Sequence, residues 1–582
     1  MSTQRAPLLR FGSFEIDLES GELRKGAKRL KLPHQPFRVL ELLASRPGVV
    51  RTRREIERAL WGDDTHVDFE NGLNYCIKLI RAVLEDDASS PRFIETLPRR
   101  GYRFMATIEE QDRSQPSFRS RPMLAVLPFG NLTGNTDQDY FTDGLTEELI
   151  GQLGRLNPTQ LGVIAFTTAR QFRNTAKGID QIGKELGVDF IVEGSVRRAG
   201  DRVRIMTQLI RVSDQSHLWA EAYNRTLDDI ISIQIDVAER VARALAVELL
   251  STTKGAMART ATHNSSAYEA YLKGRYYFNR RTEEDIRKAF RHFEEAIEKD
   301  PGCVPAYTHL ADVYAIIGLY SGLPPRQAHE AAMRSVRKAL DLDGDFAEAH
   351  SSLAYVKLLY DWDFSGAEKE FRHALVLNPN HATGHYWYAL FLAAMGRTGE
   401  ALDHIADALH LDPLSLVIYC NRGWVLYLSR RYDEAASQLR NTLEMDHNFA
   451  LAHYFLGLVY LQQLKHADAA AEFNKAKEGS DNHPASIAGL AAAAVLGGDR
   501  AEARRLLKSL EELARRRYVT PYYSGLVFAA LDNKDRALDC MERAFEDRSP
   551  FLTNIRCDPA LDPLRRERRF TKLLQRMRLP AS

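Results

Sequence analysis

The chain has 582 residues, enough for three or more domains, and its 45% hydrophobic and 27% charged residues are typical of globular proteins. The formal net charge of +1 excludes a global basic field, so a nucleic-acid site must be a local patch. Five scattered cysteines exclude a disulfide framework and a CxxC zinc module. Without a signal peptide or a long apolar run, the sequence predicts a cytoplasmic protein with no membrane span.

The first region, residues 1–110, mixes strand-like and helix-like segments. Apolar and polar residues alternate, as in strands, at residues 14–18, 22–25 and 29–32. Three helices are predicted after them, at residues 36–45, 53–60 and 71–84. Thr52 is a suitable cap for the second helix, and a hairpin is predicted over residues 92–104. These elements indicate a small α+β domain.

The third predicted helix has two contrasting faces. Its apolar residues recur at helical spacing and form one stripe: Leu73, Ile77, Ile80 and Leu84. The opposite face carries Asn74, Lys78 and Arg81, and the hairpin tip carries Arg99 and Arg100. In a major groove Asn pairs with adenine and Lys or Arg with guanine, whereas arginines at a hairpin tip suit phosphates or a narrow minor groove. A solvated helix face is the alternative explanation.

The motif that decides between these explanations is the run PRFIETLPRRGYRF, which follows a helix ending in RAVLEDD. Over residues 8–108 the chain resembles the effector domain of OmpR/PhoB-type winged-helix regulators, especially the one-component CadC/ToxR-like members. The resemblance implies that the third helix enters the major groove, that the hairpin forms a wing at the minor groove, and that the preceding loop touches RNA polymerase. It favours DNA contact for six residues: Asn71, Asn74, Lys78, Arg81, Arg99 and Arg100.

The same resemblance carries two further expectations. No receiver domain precedes the winged helix, so control by phosphorelay is not expected, and regulators of this type commonly act as dimers, so a homodimer is expected. The basic residues of the N-terminal strands are compatible with either a solvated face or phosphate contacts: Arg24, Lys25, Lys28 and Arg29.

A second region follows the polar stretch 111–121, which predicts a flexible linker, and residues 122–255 alternate strand and helix as an α/β module. Three of its runs resemble the TolB-like N-terminal module: AVLPFGNLTGNTDQDYFTDGLTEELI, ELGVDFIVEGSVRRAGDRVRIMTQLI and HLWAEAYNR. Asp139, Asp143 and Glu147 are compatible with a metal site, but acids are also favoured at the start of a helix. We expect the second explanation.

The third region, residues 265–582, contains a repeat. Pairs of small residues recur at intervals of 34 residues: Ala389/Ala401, Gly423/Ala435, Gly457/Ala469, Ala491/Ala503 and Gly525/Ala537. Three earlier pairs fit with insertions: Gly274/Ala289, Ala311/Ala332 and Ala354/Ala367. This pattern resembles tetratricopeptide repeats and implies an all-α solenoid of about eight units with a C-terminal cap.

The repeats predict a binding surface, because stacked hairpins curve and leave a groove. We expect a partner protein or peptide in this groove; a scaffold without a dedicated ligand is the alternative. His381 and His385 are spaced as a possible metal pair on one helix face. However, His350, His385 and His453 share position 4 of their units, so packing is the favoured explanation and no metal is expected.

The whole sequence predicts a multidomain, one-component DNA-binding transcription regulator whose middle module and repeats sense a partner or ligand. It has no phosphate-binding glycine loop, GxSxG or HExxH motif, so neither an enzyme nor a cofactor is expected. Two alternatives stay open. One is a signalling scaffold whose winged helix no longer binds DNA, and the other is an enzyme with an unrecognised site in the middle module.

Overall fold

The computed structural model describes residues 8–12, 14–17, 22–25, 28–30, 32–44, 47–56, 69–88, 91–97, 100–106, 109–110, 121–134, 138–156, 158–226, 230–249, 262, 264–280, 283–319, 323–480 and 482–579. The chain divides into two compact units, Met1–Ser117 and Phe118–Ser582. The predicted linker lies outside the described residues except for Arg121. No helix within the described ranges combines the length and apolar character needed to span a membrane.

The first unit contains two antiparallel sheets. One has the strand order β4-β3-β2-β1-β8 and consists of β1 (Leu8–Phe11), β2 (Phe14–Asp17), β3 (Glu22–Lys25), β4 (Lys28–Leu30) and β8 (Glu109–Glu110). The other has the order β5-β7-β6 and consists of β5 (Val50–Thr52), β6 (Ile94–Leu97) and β7 (Gly101–Phe104). The strands pack with the helices α1 (His34–Ala44) and α2 (Phe69–Leu84).

Aromatic residues fill the core of the first unit. Phe11 and Phe14 of the first sheet contact the ring of Phe93, which precedes the wing hairpin β6–β7, at centroid distances of 5.6 and 5.4 Å.

The predicted helix cap at Thr52 is confirmed. The Thr52 Oγ1 accepts from the Glu55 backbone N–H at 3.2 Å, and the Glu55 carboxylate accepts from the Thr52 N–H at 2.7 Å. Of the predicted helix 53–60, residues 57–60 lie outside the described residues.

The middle module, residues 121–249 of the second unit, is built on one mixed sheet of order β11-β9-β12-β13-β14, with β10 beside β12. Its strands are β9 (Met123–Val126), β10 (Gly130–Asn131), β11 (Gly162–Val163), β12 (Phe190–Ala199), β13 (Arg202–Arg211) and β14 (His217–Thr226). Its helices are α3 (Asp139–Leu156), α4 (Phe166–Ala169), the 3-10 turn Arg170–Phe172, α5 (Ile179–Leu186) and α6 (Ile230–Leu249). Apolar residues of α3 and α6 join one hydrophobic core with the sheet, and those of α5 join another.

Eight helical hairpins follow in the described chain between Ser265 and Glu546. Their helices are α7 (Ser265–Phe278), α8 (Glu283–Lys299), α9 (Val304–Leu319), α10 (Pro325–Leu342), α11 (Ala347–Val356) with a π turn at Lys357–Asp361, α12 (Phe364–Leu377), α13 (Ala382–Ala394), α14 (Thr398–Leu411), α15 (Leu416–Leu428), α16 (Tyr432–Met445), α17 (Ala450–Gln462), α18 (His466–Gly479), α19 (Pro484–Leu496), α20 (Arg500–Ala514), α21 (Pro521–Ala530) and α22 (Lys534–Glu546). The all-α repeat architecture agrees with the sequence prediction.

Small residues stand where the two helices of a hairpin cross. A methyl group added at Gly423 would lie 2.6 Å from Leu439, and one at Gly457 would lie 2.6 Å from Phe473. The alanines at equivalent positions, such as Ala389, are fully buried. The spacing of 34 residues therefore reflects close helix contact, because a larger side chain at these positions would separate the two helices.

The middle module and the first hairpins share one hydrophobic core. Phe141, Leu145 and Leu149 of α3 belong to the same buried cluster as Tyr268 and Leu272 of α7. Gly144 faces α7 so closely that an added methyl group would lie 2.5 Å from Leu272. The second unit is thus a module and an array packed together, which the sequence patterns did not indicate.

The C-terminal segment, residues 549–579, turns back over the hairpins. It contains the 3-10 turns Pro550–Asn554 and Pro559–Leu564 and the helix α23 (Arg568–Arg576). Its Asp558 is buried and accepts from the hydroxyls of Tyr522 at 2.6 Å and Tyr427 at 3.1 Å. Its Asp562 pairs with Arg430 at 2.6 Å. This segment therefore links the eighth hairpin to the fifth.

Candidate DNA interface

The helix α2 has the two faces that its sequence predicts. Its apolar stripe is buried, with the side chains of Leu73, Ile77, Ile80 and Leu84 at most 3% exposed. Asn74 and Lys78 are exposed on the other side, and between them in sequence Tyr75 is 61% exposed. A buried stripe of this kind fixes the rotation of the helix, so these polar and aromatic groups necessarily face away from the core.

Lys78 is the exposed cation of α2. No hydrogen bond or ion pair joins its ammonium group to another residue in the described part of the chain. Arg100 is also exposed, at the start of strand β7. Asn71 belongs to α2, but its side chain, like the whole of Arg99, lies outside the described residues. Two cations predicted for DNA contact are therefore available on the surface of the first unit.

Asn74 is positioned by the wing hairpin. Its Oδ1 accepts from the hydroxyl of Tyr102 at 3.0 Å and from the guanidinium of Arg53 at 3.4 Å. Arg53 also donates to the Tyr102 hydroxyl at 3.3 Å and lies over its ring. Both donors reach the amide oxygen of this exposed residue, so its amide nitrogen can donate to an acceptor on a base edge.

Arg81 has a different environment from Lys78. Its guanidinium donates to the carbonyl of Ile94 at 2.7 Å and to the hydroxyl of Thr96 at 2.9 Å, and its side chain is 14% exposed. Both partners lie on the wing strand β6. The structure therefore turns this residue, which the sequence predicted for DNA contact, toward the wing.

Asp86 also fixes the wing, and sequence reasoning missed it. Its fully buried carboxylate accepts from three consecutive backbone N–H groups, those of Arg92, Phe93 and Ile94, at 2.6, 3.1 and 2.9 Å. The run EDD after α2 carried the signal, since a short acid after a helix is suited to such a turn. The wing is thus attached to the end of α2 by Asp86 and to its middle by Arg81 and Asn74.

Gly101 determines how the wing can turn. Its φ of +152° lies in a region that L side chains rarely adopt, and an added methyl group would collide with the carbonyl of Arg51. The glycine of the motif RRGY therefore lets β7 approach β5.

Two of the four strand cations that were compatible with phosphate contacts form ion pairs within the domain. Arg24 pairs with Glu22 and Lys25 with Glu85, both at 2.8 Å. The side chains of Lys28 and Arg29 lie outside the described residues.

The acids of α3 that were compatible with a metal site are engaged in ion pairs. Asp139 and Asp143 both pair with Arg173, and Glu147 pairs with Arg275. Asp139 begins the helix, as expected of an acid that favours a helix N-terminus. These contacts agree with the structural explanation that the sequence favoured.

A cavity of 540 Å³ lies in the second unit, between the middle module and the hairpins. Arg155 of α3 and Glu348 of α11 face each other in it at 3.5 Å. Burial acts to raise the pKa of Glu348, but Arg155 and other partners hold it below its ordinary value. The Oε2 of Glu348 and the Nε1 of Trp387 have no hydrogen-bond partner among the described residues. A cavity of this size with convergent polar groups is suited to a small molecule.

Comparisons with known families agree with this geometry. Residues 27–104 match the family described as "Transcriptional regulatory protein, C terminal". The first unit is a winged-helix DNA-binding domain. Residues 120–240 match the second domain of HilA/YgeH-like transcriptional regulators, and residues 358–415 and 420–485 match tetratricopeptide repeats. The winged helix and the repeats are confirmed, whereas the TolB-like resemblance of the middle module stays a prediction.

Individual relatives share different parts of the chain. "Transcriptional regulator HilA" of Salmonella typhimurium is 24% identical over 431 residues, which cover 73% of this chain and 74% of that protein. "Putative adenylate cyclase 3" of Rhizobium meliloti is 32% identical over 241 residues, 41% of this chain and 40% of that protein. The "Cholera toxin homolog transcriptional activator" of Vibrio parahaemolyticus is 32% identical over 99 residues, 16% of this chain and 34% of that protein. The winged-helix domain therefore belongs to a chain with the domains of a transcription regulator.

Proposed function

We propose that the chain is a one-component transcription regulator that binds double-stranded DNA through α2 and the wing. The observation that carries this proposal is the exposed face of α2, where Lys78 has no partner among the described residues and Asn74 is held by Tyr102. A long cation beside a fixed amide on a helix surface is suited to the edges of bases in a major groove.

Different roles follow for the six predicted residues. Asn71, Asn74 and Lys78 contact base edges or nearby phosphates, and Arg99 and Arg100 contact the backbone or the minor groove. Arg81 is a positioning residue, because its guanidinium is already bonded to the wing strand. The wing and α2 then reach the DNA as one rigid surface.

The second unit receives the signal in this proposal. Its hairpins bind a partner protein or peptide, and the module and cavity transmit the binding event. The protein acts in the cytoplasm as a non-enzyme, as a homodimer on paired half-sites, and contacts RNA polymerase through the loop before α2. The adenylate cyclase relative does not alter this proposal, since this chain spans only two fifths of that protein.

The test is selection of genomic DNA fragments by the full chain at moderate salt, followed by sequencing. A shared motif among the retained fragments is expected. On the best fragment, Lys78→Met is expected to reduce affinity by about tenfold and the salt slope by about 1, because one cation no longer displaces a counterion. Lys78→Arg is the matched control and retains the slope.

Two outcomes would contradict the proposal. Uniform weak retention of all fragments would favour the signalling scaffold, in which the winged helix contacts protein. Unchanged affinity and slope for Lys78→Met on a specific fragment would show that another surface of the first unit binds DNA.

A further inference from the structure

Three hairpins of the array place a histidine at the same position of their first helix. These residues are His350, His385 and His453, and the Nε2 of each lies 2.9 to 3.0 Å from a backbone carbonyl of the preceding loop, that of Gly344, Pro379 and His447 respectively. A carbonyl oxygen only accepts, so Nε2 carries the proton in all three. The Nδ1 of each ring therefore faces the second helix of its own hairpin.

The group that meets this Nδ1 differs between the hairpins. It is a carboxylate in two of them: Glu370 at 2.7 Å from His350 and Glu472 at 2.5 Å from His453. In the hairpin α13–α14 it is another imidazole, and the Nδ1 atoms of His385 and His404 lie 3.1 Å apart. The array thus contains two histidine–glutamate pairs and one histidine–histidine pair at equivalent places.

The second helix of this hairpin adds a third donor. Asp407 follows His404 by one helical turn, and one ligand atom from each of His385, His404 and Asp407 falls within 4.8 Å of the others. We propose that these three side chains form a binding site for a divalent transition-metal ion of the zinc class. Two imidazoles and one carboxylate are the donor set that such ions take from proteins, with a fourth position left for water or an external ligand.

The geometry fits this ion. Two nitrogen atoms that bind one tetrahedral zinc ion at about 2.0–2.1 Å lie roughly 3.3 Å from each other. The observed separation of 3.1 Å is close to that edge, so only a small movement of the rings admits the ion. Rotation of the Asp407 side chain would bring a carboxylate oxygen to the third ligand position of the ion.

The hydrogen bonding of His385 also fits the site. The bond from Nε2 to Pro379 fixes the tautomer of His385 and leaves the Nδ1 lone pair for the metal, as outer partners of metal-binding histidines commonly do.

The site adjoins the contact between the module and the array. At this contact the module residue Arg121 meets the array residue Asn380, which follows Pro379 in the loop. Arg121 itself donates to Asn380 at 2.6 Å, in the loop before α13. A metal ion at this hairpin would bind the ring that is bonded to Pro379, and its occupancy would therefore alter the loop whose Asn380 binds the module.

The experiment is titration of the untagged, metal-free full chain with Co²⁺, followed by its visible absorption, and displacement of Co²⁺ by Zn²⁺. One equivalent with the intense spectrum of a tetrahedral ion is expected. His404→Phe keeps an aromatic ring beside Tyr388 and removes the donor nitrogen, and it is expected to weaken binding by more than about 100-fold. Asp407→Asn is expected to weaken binding by at least about tenfold.

The matched control is Glu472→Gln, which changes the equivalent position of the hairpin α17–α18 and is expected to leave the Co²⁺ spectrum unchanged. Absence of a tetrahedral Co²⁺ spectrum in the wild type would overturn the proposal, and the two rings would then share only an N–H···N hydrogen bond. The same spectrum in His404→Phe would also overturn it, since the ion would then bind at other residues.

Discussion

The two units of the chain use their polar residues in opposite ways. In the winged-helix domain, Asn74, Lys78 and Arg100 are exposed, and Tyr102 holds the amide oxygen of Asn74. In the second unit, polar groups of the module are committed to the hairpins. For example, the side chain of Asn380 in the array donates to two carbonyls of the module, those of Gly154 and Leu161, at 2.9 and 3.0 Å.

This difference indicates where regulation requires a conformational change. The surface that we propose for DNA binding is preorganised, so binding would cost it little rearrangement. The hairpins, in contrast, are already covered in part by the module and the C-terminal segment. In the proposed function, a partner that binds the same surfaces displaces these segments, and the free energy of their contacts would set the threshold for the signal.

The largest expected effect comes from opening the second unit. Asn380→Ala removes two donors to buried carbonyls and an acceptor from Arg121, at an expected cost of about 3 kcal/mol to module docking. Amide hydrogen exchange of the full chain is expected to accelerate by roughly 100-fold in the described residues of α3 and α4.

A matched control lies two repeats further along the array. Asn448 has the same loop position as Asn380, and its backbone N–H donates to Asp446 as that of Asn380 donates to Asn378. Asn448 is exposed, and among the described residues no hydrogen bond joins it to the module, so Asn448→Ala is expected to leave exchange in α3 unchanged. Equal acceleration in both variants would mean that Asn380 stabilises its loop and not the docked module.

A second prediction concerns pH. Burial lowers the pKa of His309 to about 3, with a smaller contribution from Arg275, whereas the unfolded chain titrates near 6.5. Below pH 6.5 the unfolded state binds a proton that the folded state does not, so the free energy of unfolding falls until about pH 3. The loss is about 1.4 kcal/mol per pH unit for this residue, or about 2 kcal/mol at pH 5.

The measurement is urea unfolding of the full chain between pH 7 and 4.5, followed by tryptophan fluorescence, because four of the five tryptophans lie in the second unit. His309→Phe keeps an aromatic ring among Tyr271, Phe278 and Phe293, and its stability is expected to depend less steeply on pH by about 1.4 kcal/mol per unit. Parallel curves for both proteins would exclude His309 as the titrating group.

The smallest effect tests an exception within the winged helix. Like the polar residues of the second unit, Arg81 is bonded internally. Arg81→Ala removes its bonds to Ile94 and Thr96 and is expected to lower the free energy of unfolding by about 1.5 kcal/mol. Exchange of β6 and β7 amides is expected to accelerate by roughly tenfold, and DNA affinity to fall without a change of the salt slope. A slope lower by about 1, as expected for Lys78→Met, would instead mean that Arg81 neutralises a phosphate.

Periodicity predicted the orientation of α2 but not the partners of its polar residues. The spacing of Leu73, Ile77, Ile80 and Leu84 was sufficient to bury one face and expose the other. It also placed Arg81 with Lys78, since both lie opposite the stripe. What separates them is the wing strand, thirteen residues further along the chain, whose carbonyl at Ile94 captures Arg81. Helical periodicity does not indicate which residues of the helix a later strand will contact.

In the second unit, too, the sequence pattern predicted the helices but not the contacts between them and the module. The 34-residue repeat predicted the hairpins because each close crossing requires a small residue. Strand β14 was not predicted, because it lies at the edge of the sheet and Tyr223 is its single buried residue. The docking of the module depends on Asn380 and Asp412 in loops between hairpins, and polar loop residues have no periodicity that would distinguish them.

The C-terminal segment changes the mechanics of the array. A solenoid whose repeats contact only their neighbours extends elastically and unfolds from its ends. Here Thr553 donates to Leu358 of the third hairpin and Arg556 to Met395 of the fourth, while Asp558 joins Tyr427 of the fifth to Tyr522 of the eighth. These links across the coil fix its pitch. Under a pulling force, hairpins three to eight are therefore expected to resist extension together and to yield in a single step.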